Sequence, residues 1–413
     1  MTLMLAAAGI GLAGLAQKAT CWNAGWGTAE SFARMCYSDI PMLYPARGLA
    51  ELIPPYTDGA RTVPMEYPVL TWIFAFAMAG LTWLLAGQPD LAARRSVPLD
   101  QLQTALENES GLFLIVNGVF LVACVVIGAW VLWRWRPQGS DRAAWMWALS
   151  PGILLTGFIN WDLLAALAII LALYAAHRHR WVWCGVAIGI GVAVKLYPLL
   201  LIGPIFVLAL RNRQWRPFVL SSAAAAVTWA VCNVPAYLAG PKSWTLFWSF
   251  NAERRADTGS GWQVLRIIGH GLPIPVINLA NMVLLVLACL AVLVLGLRVK
   301  RTPSLAALAF LVVWAFLALN KVYSPQYVLW LLPLAILALP RWRDVLIWQA
   351  GELVYFVGVM AYAGQLTIPA SGVDKIYLSC IAIRYLAQLW FVGRIVQDLV
   401  RPDQDPGVVE AST

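Results

Sequence analysis

Residues 160–216 read NWDLLAALAIILALYAAHRHRWVWCGVAIGIGVAVKLYPLLLIGPIFVLALRNRQWR. Three apolar runs follow one another. The gap after the first holds Arg178 and Arg180, the gap after the second holds Lys195 and Pro198, and the gap after the third holds Arg211, Arg213 and Arg216. Knots of Arg and Lys thus mark alternate gaps, the pattern of a helical protein that crosses a membrane many times with its basic loops in the cytoplasm. The alternation extends to Arg134/Arg136/Arg142 on one side and to Arg298/Lys300/Arg301, Arg341/Arg343 and Arg401 on the other. The intervening gaps hold Asp39, Glu66, Asp162, Lys195, Asp257 and the Lys321–Gln326 stretch. One face of the membrane is therefore expected to carry the chemistry.

Composition agrees. The chain is 61% hydrophobic and 12% charged, against about 25% charged in an ordinary soluble domain. Its net charge of +9 sits mostly in short loops between apolar runs. It reads as topology and contact with membrane lipids, not as nucleic-acid binding.

A full crossing needs roughly 17–25 residues. Spans are expected near 2–15, 111–133, 143–159, 163–176, 182–194 joined closely to 199–210, 217–234, 272–297, 304–319, 328–339, 345–362 and 376–396. The fold class is thus all-α, a polytopic integral membrane protein with about twelve spans and both termini cytoplasmic. The first run lacks the basic flank and small-residue cleavage site of a leader, so it reads as a helix. Residues 67–87 are apolar, but a full crossing there would invert every later basic knot; they read as a helix held in the outer leaflet. The chain forms one domain over 1–400, with a cytoplasmic tail at 401–413. Its outer loops, 17–110 and 235–271, form the active face. They mix aromatics with charge, as extracytoplasmic juxtamembrane helices do.

Five of the seven cysteines lie inside apolar spans and read as small buried side chains. Cys21 and Cys36 share the first outer loop, and a disulfide between them is expected in an oxidising compartment. No metal or redox cofactor is indicated, and no phosphate-binding glycine motif is present.

On the outer face, Asp39, Glu66 and Asp162 sit at expected helix ends facing one compartment. Any one of them could be a helix cap or interfacial charge. Lys195 lies within an apolar stretch beside the break made by Tyr197-Pro198, where a lone ammonium could meet a phosphate. Lys321 and Gln326 sit in a second Pro-bearing turn, and Arg255 and Asp257 in the second outer loop. Glu352 and Arg384 fall near the middle of their own spans and are expected to form a structural ion pair.

These residues resemble the GT-C superfamily of polyprenyl-phosphate-sugar-dependent glycosyltransferases, in particular glycosyltransferase family 87 of actinobacteria. There are echoes of the first mannosyltransferase of the GPI-anchor pathway. The echoes are Asn160-Trp161-Asp162, Lys195-Leu196-Tyr197-Pro198 and Asn320-Lys321-Val322-Tyr323-Ser324-Pro325-Gln326-Tyr327, in order along the chain. The resemblance implies the GT-C fold and a catalytic carboxylate in the first outer loop, which falls on Asp39. It implies a polyprenyl-phosphate sugar donor, a lipid-linked or glycan acceptor and an extracytoplasmic site. Several GT-C enzymes carry an acidic pair in that loop; here there is one acid, which weakens a metal requirement. On this reading Asp39 is the general base. Lys195, with Lys321 or Arg255, offsets the charge of the leaving phosphate. Glu66, Asp162, Tyr197, Asp257 and Gln326 complete the substrate site, and a hexose such as mannose is transferred with inversion. The rival class is a polytopic transporter or lipid flippase, which would show an internal repeat and polar residues near the midplane.

Overall fold

The computed structural model describes residues 1–367 and 373–401; the expected tail beyond Arg401 lies outside the described residues. Among the described residues the chain is helical, with no strand. Among the described residues, six helices are long and apolar enough to cross a membrane: Thr2–Ala19, Glu107–Trp135, Trp215–Ala239, Ile274–Arg298, Trp342–Ala363 and Lys375–Val400. Six shorter apolar helices accompany them. The protein is a multi-pass membrane protein. The expected count of twelve spans is not fixed by helix length alone.

The helices share two ends. Asp162–His177 starts beside Lys195 and ends at His177, whose ring lies 5.2 Å from that of Trp135 at the end of Glu107–Trp135. Ile202–Asn212 carries Arg211 in its last turn, which donates to the carbonyls of Gly296 and Val299 at the end of Ile274–Arg298. The basic knots therefore collect at one end of the bundle, and the polar loops at the other.

Two helices are broken at the polar end. Trp181–Val194 stops at Lys195, whose backbone is extended, and the chain resumes as a 3-10 turn over Tyr197–Leu201 with Pro198 in its first positions. Proline removes a donor there, so the broken end needs other partners. Thr71 Oγ1 supplies one, donating to the Val194 carbonyl at 2.6 Å. Leu305–Leu319 stops at Asn320, and the chain resumes through Pro325–Tyr327 into Val328–Ala338. Trp262 Nε1 donates to the Leu319 carbonyl at 2.8 Å, satisfying that end. Unwound backbone at depth persists only where protein or a cavity serves it, and both breaks open on the same cavity.

The run 143–159 differs from its expected single span. It forms two short helices, Arg142–Ala148 and Pro151–Thr156, broken where Ser150 caps the second and Pro151 starts it. The Val69–Leu85 helix does not pass from one end of the bundle to the other. Tyr67, just before it, reaches Asn160 at the polar end; Arg94, just after it, donates to the Ala50 carbonyl and pairs with Glu109 at that same end. Elsewhere the helices approach closely through small residues. A Cβ on Gly185 would meet the Ser221 carbonyl at 2.2 Å, and one on Gly189 the Ala225 carbonyl at 2.6 Å; such contacts let membrane helices pack backbone to backbone.

The two long loops at the polar end are tied together. Cys21 and Cys36 are disulfide-bonded across 15 positions. Asp58 accepts from the backbone N–H groups of Lys242 and Ser243, capping the Pro241–Glu253 helix of the second loop from the first. Replacing both cysteines with serine is expected to cost about 3 kcal/mol by the loop-entropy estimate. The check is a lower melting temperature in detergent, reproduced in the native protein by reductant.

Candidate active site

Asp39 opens the Asp39–Ala46 helix, where Ser38 is the N-cap. Its backbone is fixed from below: Asp39 N–H donates to the Ile159 carbonyl at 2.8 Å, and Ser38 Oγ to the Phe158 carbonyl at 2.7 Å. The carboxylate is held on both oxygens. Tyr37 donates its hydroxyl to Oδ1, and Asn160 Nδ2 donates to Oδ2 at 2.9 Å. Asn160 cannot easily turn over, because its own Oδ1 accepts from the Trp161 N–H at 2.7 Å. Burial pushes the Asp39 carboxyl above its ordinary value; the Tyr37 and Asn160 hydrogen bonds and the nearby Lys195 oppose it. Burial and the Asp39 charge push the Tyr37 hydroxyl up as well, so it stays a donor.

A cavity of about 690 Å³ opens from Asp39, within the range of small-molecule sites. Glu66, Lys195, Arg254, Asp257, Lys321 and Gln326 line it together with Asp39. Five of these lie far apart in sequence yet converge, because each ends a helix or a break at the polar end. Lys195 Nζ lies 4.5 Å from the centre of the Tyr67 ring and 3.7 Å from Asp162 Oδ1. Gln326 is buried, and its Oε1 has no protein partner. Lys321 donates to the carbonyls of Asn251 and Ala252 at 2.8 and 3.1 Å, closing the end of the Pro241–Glu253 helix. Burial, then the Arg254 charge, hold its ammonium below its ordinary value.

Several expected site residues stand elsewhere. Asp162 is fully buried behind Lys195, bonded to Trp330 Nε1 at 2.6 Å, and does not line the cavity. It stands as the counter-charge of Lys195. Tyr197 stacks on Trp330 at 4.3 Å and is buried outside the cavity wall. Arg255 is exposed and does not line the cavity; Arg254 stands there instead. The phase of the Pro241–Glu253 helix decides this: Phe247, Phe250, Asn251 and Arg254 recur at helical spacing and all face the cavity. Glu66 lines the cavity, but Arg47 clamps both of its oxygens at 2.9 and 3.0 Å, so its charge is spent.

The expected ion pair between Glu352 and Arg384 is not a direct contact. Glu352 accepts from Tyr323 Oη, Trp348 Nε1 and Gln388 Nε2 at 2.7–3.1 Å. Arg384 lies with its guanidinium carbon 3.7 Å from the Tyr323 ring centre and donates to the Gly259 carbonyl at 2.9 Å. Tyr323 stands between the two charges. The spacing of Glu352 and Arg384 on adjacent helices suggested a pair, but a loop that dips into the bundle takes the arginine instead.

Among the described residues, no group of three or more His, Cys, Asp or Glu side chains gathers as metal ligands would. The wall offers Asp39 held on both oxygens, Glu66 neutralised by Arg47, Asp257, three cationic side chains at separate points and a buried amide oxygen, around a space of small-molecule size.

Residues 144–320 match the model of glycosyltransferase family 87. A search among curated proteins finds no match. The crystal structure of ArnT from Cupriavidus metallidurans bound to undecaprenyl phosphate is similar to this chain with a TM-score of 0.42 and 15% identity, over 86% of this chain and 72% of that one. The stretch that matches the family 87 model, residues 144–320, carries Asn160, Lys195 and Arg254.

Proposed function

We propose that this membrane protein moves a hexose, such as mannose, from a polyprenyl-phosphate donor to a lipid-linked or glycan acceptor of the cell envelope. The observation that supports it most is the pairing of one oriented carboxylate, Asp39, with the cations Lys195, Arg254 and Lys321 around a single cavity. Asp39 removes the proton of the acceptor hydroxyl as it attacks the sugar carbon. The bond from that carbon to the phosphate oxygen breaks on the opposite face, so the product is inverted. The developing phosphate charge falls to Lys195 and Arg254, whose worth is greatest in a site that excludes water. Gln326 Oε1 accepts from a sugar hydroxyl. The polar end of the bundle faces outward, both termini face the cytoplasm in the plasma membrane, and the basic end meets anionic headgroups.

Mass spectrometry of cell-envelope glycolipids with and without the gene tests the reading. A glycan truncated by one hexose is expected in the deletion. Unchanged glycolipids with altered uptake of a solute would favour a transporter instead.

A pH dependence follows. A base must be ionised to act, and burial raises the carboxyl of Asp39. Activity is therefore expected to fall on acidification at a pH above the ordinary aspartate value. The kcat/KM profile of the native protein checks it; an acid limb at the ordinary value would show that burial does not tune the base. The same raised value means that Asp39 adds stability only as it takes up its proton, and loses that contribution as pH rises through its folded value.

A further inference from the structure

Arg384 is buried at mid-helix with no carboxylate in hydrogen-bond contact. Its guanidinium carbon lies 3.7, 4.6 and 4.4 Å from the ring centres of Tyr323, Tyr355 and Tyr385. Its Nη2 donates to the Gly259 carbonyl, while Nε and Nη1 have no protein partner. A charge at such depth is costly and is kept for a role. The ring faces carry part of that cost as cation–π contacts.

The role is legible in what the rings hold. The loop 257–261 enters the bundle and is fastened on every side. Gly259 N–H donates to Tyr377 Oη at 2.8 Å, and Gly261 N–H to Tyr385 Oη at 3.2 Å. Gly259 has a φ of +68°, and a Cβ there would lie 2.0 Å from Tyr355 Oη, so the loop passes directly over that ring. The loop in turn pairs with the turn that follows Leu319. Asp257 N–H donates to the Lys321 carbonyl at 2.9 Å, and Tyr323 N–H to the Thr258 carbonyl at 2.7 Å. Tyr355 donates its hydroxyl to the Tyr323 carbonyl. Arg384 thus touches both segments: the first directly at Gly259, the second through the face of Tyr323. Those segments carry Asp257, Lys321 and Gln326 into the cavity, and the first of them starts three residues after Arg254.

We propose that Arg384 is a positioning residue that fixes the cationic wall of the cavity by joining the 257–261 loop to the Asn320–Tyr327 turn. It touches no substrate. Glu352 serves the same unit by accepting the Tyr323 hydroxyl, which holds that ring flat against the guanidinium. The effect on donor binding rests on the reading that this wall holds the donor phosphate; the effect on the loops does not.

The test uses the full-length protein in nanodiscs, with Arg384→Lys and, acting on the loop from its other side, Tyr377→Phe. Lysine keeps the charge but cannot cover three rings and reach Gly259 together. Amide exchange in 257–261 and 320–327 is expected to rise about tenfold or more in both variants, since each loses a buried hydrogen bond, with the Asp39 helix unchanged. In the transfer assay, donor KM is expected to rise about tenfold while kcat stays within about threefold, because Asp39 stands on other elements. A residue that merely stabilises the fold would lower the active fraction, so that apparent kcat falls with KM unchanged. That split, or unaltered exchange in the two segments, would overturn the proposal. If the native protein turned over no polyprenyl-phosphate sugar, the donor reading would fail, and the exchange result would still decide the positioning role.

Discussion

Asp39→Asn is expected to lower transfer by at least about a hundredfold, the lower part of the range for a general base, while donor affinity and folding stay close to native. The substitution keeps shape but removes the lone pair that takes the proton. It also disturbs one hydrogen bond. Asn160 Nδ2 and Tyr37 Oη both donate to Asp39, and Asn160 is locked in that orientation by the Trp161 N–H. An asparagine can turn its oxygen to only one of them, leaving its amide against the other donor. That costs about 1 kcal/mol of stability, less than the roughly 2.7 kcal/mol that a hundredfold loss in turnover represents. Melting temperature and turnover measured on the same preparation separate the two. Turnover above about a tenth of native would remove Asp39 as the base.

Lys195→Ala is expected to damage both stability and activity, for two different reasons. The ammonium is the only cation recorded within 4.0 Å of Asp162 among the described residues. Asp162 is fully buried, and its Oδ2 already lacks a partner. Removing one member of such a pair leaves an uncompensated charge and costs about 3–5 kcal/mol. Lys195 also lines the cavity; under the proposed function it meets the donor phosphate there, and its loss is expected to lower kcat/KM by about 10–100-fold. The double substitution Lys195→Met with Asp162→Asn separates these terms. Replacing both charges leaves no stranded ion, so thermal stability is expected to return toward native while transfer does not. If transfer returned with stability, Lys195 would serve only the fold.

The convergence of Asp39, Lys195, Lys321 and Gln326 was legible because each falls in a gap without basic knots, and all such gaps open at one end of a helical bundle. Side-chain direction was less legible. Asp162 and Lys195 were both placed at the site, and they are neighbours, but the broken backbone at Lys195 turns only the lysine toward the cavity. The loop's charge cluster points to Arg255, whereas the helical spacing of Phe247 and Phe250 carries the phase that selects Arg254. The run 143–159 reads as one span because its hydropathy is continuous; Ser150-Pro151 breaks it by capping and by a missing donor, which hydropathy does not register. Glu352 and Arg384 were matched by depth and opposite charge. The partner of Arg384 is instead the backbone of Gly259, in a loop more than a hundred residues away in sequence, and no local pattern announces that such a loop re-enters the bundle.

The donor is the central claim, and one measurement reaches it most directly: turnover by the purified protein in nanodiscs with a lipid acceptor extract, given either polyprenyl-phosphate mannose or a nucleotide-activated mannose as sole donor. Transfer from the lipid-linked sugar and none from the nucleotide sugar is the expected result, with the lipid-dependent signal lost in Asp39→Asn. Transfer from the nucleotide sugar, or lipid-dependent transfer that Asp39→Asn leaves intact, would contradict it.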